Sequence, residues 1–170
     1  PVIIAGAATG ASVANDRRTT GSIMEDQTIE LNIANAIYAD QSFPKNTHIS
    51  VVSFNNVVLL LGQLPTKDLR ELAENIAKQT EKVKRLHNEI SVGENTSYRV
   101  RNNDVWITTK AKSTLLGTAG VSATHIKVVT EKGIVYLMGM ITREESQRAA
   151  KAVQLVKGVR GVYKVFEYLD

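Results

Sequence analysis

Asn56-Val57-Val58-Leu59-Leu60-Leu61-Gly62 has a second copy downstream, Gly133-Ile134-Val135-Tyr136-Leu137-Met138-Gly139. Each is a run of strand formers that ends on a glycine. Each follows a matching apolar segment, His48-Ile49-Ser50-Val51-Val52 or His125-Ile126-Lys127-Val128-Val129. Asn55-Asn56 and Glu131-Lys132-Gly133 join the runs and suit tight hairpins. Beyond each glycine comes a polar start and an amphipathic run, from Thr66-Lys67-Asp68-Leu69 and from Thr142-Arg143-Glu144-Glu145. Alternating segments at 83–90 and 159–166 close the copies. Ahead of the hairpins, Asp26-Gln27-Thr28-Ile29 matches Asp104-Val105-Trp106-Ile107. Matched blocks in one order, at a shift of about 78 residues, establish an internal duplication.

The fold class that follows is α+β: two tandem αββαβ units, each a three-stranded mixed sheet with two helices on one face. The boundaries read from the sequence are a flexible tether over 1–22, a first unit over 23–91, a polar linker over 92–103 and a second unit over 104–170. In the first unit a helix over 26–39 should bury Ile29, Ile33, Ala36 and Ile37, and one over 67–79 should bury Leu69, Leu72, Ala73 and Ile76. Units this small are near the lower limit for a self-sufficient core, and the second sheet face must be solvated or covered. Gly62 and Gly139 end their strand blocks, where a missing side chain permits positive φ or close approach. Their expected role is structural.

The segment 104–116 reads as a helix with Asp104 as its N-cap. Ile107, Ala111, Thr114 and Leu115 gather on one side as the core face. Trp106, Thr109, Ser113 and Leu116 lie on another, flanked by Lys110 and Lys112. A core helix has no need of a tryptophan and a leucine off its buried stripe. Tryptophan suits a lipid interface, since its ring is largely apolar while its N–H stays hydrated. The lysines suit lipid phosphates. The competing reading packs Trp106 against the other unit or the linker.

Composition narrows the alternatives. The net charge is +4 and the pI about 9.3, but no basic run marks a nucleic-acid groove. Aromatic residues make up 5% of the chain, too few for a base-stacking platform. With no cysteine and with His48, His87 and His125 scattered, no metal site is expected. No nucleophile elbow, phosphate loop or dinucleotide fingerprint appears, so neither an enzyme nor a cofactor is expected.

The paired αββαβ arrangement, with strand-glycine blocks Val57-Val58-Leu59-Leu60-Leu61-Gly62 and Val135-Tyr136-Leu137-Met138-Gly139, resembles the BON domain. Asn103-Asp104-Val105-Trp106-Ile107-Thr108-Thr109-Lys110 and Asp16-Arg17-Arg18-Thr19-Thr20-Gly21 are similar to segments of dual-BON periplasmic lipoproteins. The resemblance implies a lipoprotein in the periplasm, anchored in the inner leaflet of the outer membrane of a Gram-negative cell. It implies binding of anionic, phosphatidylglycerol-like phospholipid through the first helix of the second unit, in support of envelope integrity. By motif position Trp106 is the membrane-inserting residue and Leu116 its apolar neighbour. The acylated cysteine of such lipoproteins is absent, so the anchor is an inference and the chain is expected to start just beyond it. The alternative is a chaperone-like or adaptor role toward proteins at outer-membrane assembly or division sites, through a sheet face or edge.

Overall fold

The computed structural model describes residues 3–4 and 17–170. They fall into two units, the first holding 18–95 and the second holding Arg17 and 96–170. The first comprises β1 (Ile3–Ile4), α1 (Thr20–Ala39), β2 (His48–Phe54), β3 (Val57–Leu64), α2 (Lys67–Gln79), β4 (Arg85–Asn88) and β5 (Ser91–Val92). The second comprises α3 (Tyr98–Leu116), a 3-10 turn (Ala123–His125), β6 (Ile126–Glu131), β7 (Ile134–Ile141), α4 (Arg143–Gln154) and β8 (Gly161–Tyr168). The α+β duplication is therefore present in three dimensions.

In each unit an antiparallel hairpin carries a parallel third strand on its second member, β3 with β4 or β7 with β8. The three-stranded expectation holds for the second unit and needs correction for the first. There β4 and β5 both pair with β3, as two pieces of one interrupted strand. Arg70 holds the interruption, donating from Nε to the Ile90 carbonyl (2.7 Å) and from its guanidinium to the Asn88 carbonyl (2.8 Å). Ile90 meanwhile drops into the core. β1 adds a short parallel pairing on the free edge of β2.

Both helices of a unit pack on one sheet face. Ile29, Ile33 and Ile37 of α1 meet Ile49, Val51, Val58 and Leu60, with Ala73 and Ala77 of α2 in the same cluster. Ala34, not Ala36, shares the buried side of α1. In the second unit Ile107, Ala111 and Leu115 pack with Val128, Val135, Leu137, Ala149 and Val153. All of β2 and β3 is buried on both faces, whereas β6 alternates buried and half-buried, as a strand with one covered face does.

The domain boundaries shift at both helix starts. Thr20, Gly21 and Ser22 are helical, so the tether does not reach residue 22; residues 5–16 of that call lie outside the described residues. The linker call of 92–103 is corrected too, because Val92 still pairs with β3 and α3 begins at Tyr98. The N-caps are Thr19 and Ser97, whose hydroxyls accept from the Ser22 and Val100 amides.

Asp104 is thus not an N-cap. It sits inside α3, buried, and accepts the amides of Lys132 (2.9 Å) and Gly133 (2.9 Å) at the β6–β7 turn. Asp26 does the same in the first unit, accepting from the Asn55 and Asn56 amides and from the Ser53 hydroxyl. Both turns need such support, since their central residues all have positive φ: 50° and 66° at Asn55 and Asn56, 51° and 77° at Lys132 and Gly133. Arg18 completes the first site, pairing with Asp26 at 2.8 Å while its guanidinium lies over the Phe54 ring.

Gly62 pairs with Ile49 and Gly139 with Ile126, at equivalent points of the two hairpins. A Cβ on Gly139 would stand 2.5 Å from the His125 carbonyl oxygen, and one on Gly62 would press into the His48 carbonyl oxygen. Gly62 additionally has φ +128°.

Two stability outcomes follow. Asp104→Ala leaves two turn amides unpaired and should lower unfolding free energy by about 2–3 kcal/mol, and Asp26→Ala, which also strands buried Arg18, by about 4. Urea denaturation measures both. Gly139→Ala should cost about 2 kcal/mol and Gly62→Ala more, because strain at positive φ adds to the clash; thermal unfolding of the two variants should rank them in that order.

Candidate functional site

The outward side of α3 is built from the inward side. Ile107, Ala111 and Leu115 fix its rotation against the sheet, and Thr108 Oγ1 bonds Thr130 Oγ1 at 2.8 Å. With that register set, Trp106 is 66% exposed and Leu116 71% exposed. Trp106 is no part of the core of its own unit. Thr109, Lys112 and Ser113 are exposed on the same side, so the structure brings together five of the six residues read from the sequence.

Lys110 is the partial exception. It is half-buried, and its Nζ donates to the Lys157 carbonyl at 2.8 Å, tying α3 to the turn after α4. Thr109 is also occupied locally, its hydroxyl donating to the Val105 carbonyl. These two side chains shape the face more than they reach from it. Lys112 has no carboxylate partner among the described residues and remains available.

Two apolar members were missed. Val105 (66% exposed) and Tyr98 (74% exposed) join Leu116 on the outward arc. The periodicity carried the signal for Val105, which falls a helical heptad after Tyr98. Tyr98 was hidden by the mistaken helix start.

The equivalent helix of the first unit makes a useful comparison. α1 also exposes apolar side chains, Met24, Leu31 and Tyr38. Its charge is opposite, however. α1 holds Glu25, Asp26 and Glu30 and no basic residue, whereas α3 holds Arg99, Arg101, Lys110 and Lys112 against Asp104 alone. Asp104 is buried and spent on the turn, so the solvent meets only cations on α3.

No helix among the described residues is long and apolar enough to cross a membrane. Among them no group of three or more His, Asp or Glu side chains could hold a metal ion.

The family comparison agrees with this geometry. A model described as "BON domain" matches residues 25–94 and again 103–170. The chain belongs to the BON domain family. The BON units of this chain have relatives of similar length. It is 38% identical over 168 residues to the outer membrane lipoprotein DolP of Haemophilus influenzae, covering 99% of this chain and 87% of that one. It is 38% identical to a 21 kDa hemolysin of Actinobacillus pleuropneumoniae, covering 91% and 80%, and 30% identical to osmotically-inducible protein Y of Escherichia coli, covering 90% and 77%. Of these relatives, the Haemophilus influenzae protein is described as an outer membrane lipoprotein. Among solved structures, CdsD of the Chlamydia trachomatis type III secretion system is 16% identical, with a TM-score of 0.34, over 85% of this chain and 63% of that one.

With one tryptophan in the chain, the exposure of Trp106 is directly measurable. Its emission in buffer should be red-shifted and readily quenched by acrylamide, and denaturant should change both only slightly.

Proposed function

We propose that the protein is a non-enzymatic outer-membrane lipoprotein that reads anionic phospholipid through α3 and so supports envelope integrity. The observation that carries this reading is the joint exposure of Trp106, Val105 and Leu116 on a helix whose solvent-facing charges are all positive. Apolar side chains entering the interface gain burial, on the order of 1.5–3 kcal/mol for a leucine-sized group. Cations beside them add about 1 kcal/mol each near an anionic surface. One short helix therefore grips weakly and reversibly. A single acyl chain is also marginal, and stable attachment takes two such signals. In this reading a lipid anchor in the inner leaflet keeps the protein at the membrane, while α3 selects the patch.

Phosphatidylglycerol is the headgroup class that fits, since its net negative charge suits Lys112 and its neighbours. A protein-docking role has its own support in Met24, Leu31 and Tyr38 of α1, an exposed apolar row on a helix with no basic residue. With no cation on its helix that row gains no attraction to anionic lipid, and it suits an apolar partner surface.

The test titrates the protein with phosphatidylcholine vesicles, with and without phosphatidylglycerol. Trp106 emission should shift to the blue only with the anionic lipid. Leu116→Glu should weaken binding by roughly tenfold, while Leu31→Glu on α1 should leave it unchanged. Absence of any shift with anionic vesicles defeats the membrane reading and leaves the docking role of α1.

A further inference from the structure

Beside the outward face of α3 lies an open cavity of about 550 Å³. Its walls include Arg99 and Asn103 from the start of α3, Lys132 and Gly133 from the β6–β7 turn, and Gly158 and Arg160 from the segment leading into β8. Asp104 also lines it, but both carboxylate oxygens are taken by the turn amides. The stem of Arg160 lies across Gly133, where a Cβ would stand 2.9 Å from its Cγ and Cδ, so a side chain at 133 would displace the guanidinium. The guanidinium groups of Arg99 and Arg160 have no carboxylate partner among the described residues.

The first unit shows what a structurally neutralised version looks like. The Arg160 amide donates to the Gly133 carbonyl at 2.8 Å, and the Lys84 amide donates to the Asn56 carbonyl at 2.8 Å, so the two turns superpose residue for residue. In that frame Asn103 corresponds to Glu25 and Gly158 to Lys82. Glu25 accepts from Asn56 Nδ2 (3.2 Å) and pairs with Lys82 Nζ (3.4 Å), and those two partners hold its carboxyl below the usual range. The first unit therefore holds an acid–lysine pair in this place, beside Lys84, the counterpart of Arg160. The second replaces the acid by Asn103, replaces the lysine by a glycine that opens the space, and adds Arg99, where the first unit has Gly21.

We propose that this cavity receives the phosphate of an anionic phospholipid, with Arg99 and Arg160 as its principal ligands and Asn103 as a neutral donor. The proposal rests on the lipid reading of α3 and refines it. Arg99, Asn103, Trp106 and Lys110 follow one another along the helix at spacings of four, three and four, which places them on one ridge. A phosphate seated between Arg99 and Arg160 thus has its glycerol and acyl chains beside the Trp106 ring. Arginine suits this task because its planar fork gives a phosphate two parallel hydrogen bonds.

The experiment uses the full chain and phosphatidylcholine vesicles with and without phosphatidylglycerol, read by co-sedimentation and Trp106 emission. Two variants address the cavity: Arg99→Gln/Arg160→Gln removes cations, and Asn103→Glu installs the acid of the first unit. Lys45→Gln/Lys67→Gln, on exposed positions of the first unit, is the charge-matched control. Each cavity variant should weaken anionic-vesicle binding by roughly tenfold, the control by less than about twofold, with circular dichroism unchanged in all. Wild-type binding that the cavity variants alter no more than the control overturns the cavity and leaves the Trp106 face standing. Wild type that ignores anionic vesicles removes the lipid reading and the cavity together. A separate arm titrates inorganic phosphate and follows the amide resonances of Asn103 and Gly133. Saturation by free phosphate, combined with vesicle binding that neither variant changes, assigns the cavity to a soluble phosphate and overturns the lipid assignment.

Discussion

A buried carboxylate under a hairpin turn is the constraint on which both units depend. Asp26 and Asp104 each leave the middle of a long helix and hold the two amides of a turn whose residues are left-handed. Left-handed pairs are costly for asparagine and lysine, and an ionised acceptor with two well-aligned donors offsets that cost. The same bonds fix how far along the hairpin the helix lies and which way it is rotated. Everything else is placed by that choice: the isoleucines that face the sheet, and the side chains that cannot.

From this shared lock the two units diverge in one direction. In the first, charges near the turn are consumed within the fold, by the Arg18–Asp26 pair and by the Glu25–Lys82 pair. In the second, the acid needed for the lock is the only one on α3, and Arg99 and Lys112 have no carboxylate partner among the described residues. Apolar exposure follows the same division. Both helices show large side chains to water, but only α3 presents them among positive charges. An electrostatic difference between the duplicated copies is therefore what the proposed lipid reading of the second unit rests on.

Much of this was legible in the chain. Alternation with period two, Asn55-Asn56 and Lys132-Gly133 marked the hairpins, because strand faces and left-handed turns impose themselves locally. The outward set of α3 was legible as well, since a residue off the core stripe has few places to go. The helix starts were not. Asp104 stands just before an apolar periodic run, which is what an N-cap looks like, but its partners are residues far along the chain. The true cap, Ser97, precedes a stretch, 98–103, that contributes nothing to the buried core and so carries no core rhythm. Ser97 and Thr19 did hold a usable signal, for they occupy equivalent positions in the duplication. The break between β4 and β5 depends on Arg70 reaching across to two carbonyls, and nothing local announces it.

The turn lock has a consequence for how such a duplicated chain changes over time. Because Asp104 and the buried aliphatic side chains of α3 orient the helix from within, substitutions on its outer surface leave folding almost untouched. That surface can drift, lose its tryptophan or acquire another partner while the scaffold persists. A second copy with its own lock doubles this freedom, since one unit can hold the particle's stability while the other explores. The pair of αββαβ modules is in this sense an adaptable platform, whose outer helix faces can be rewritten without disturbing what holds them.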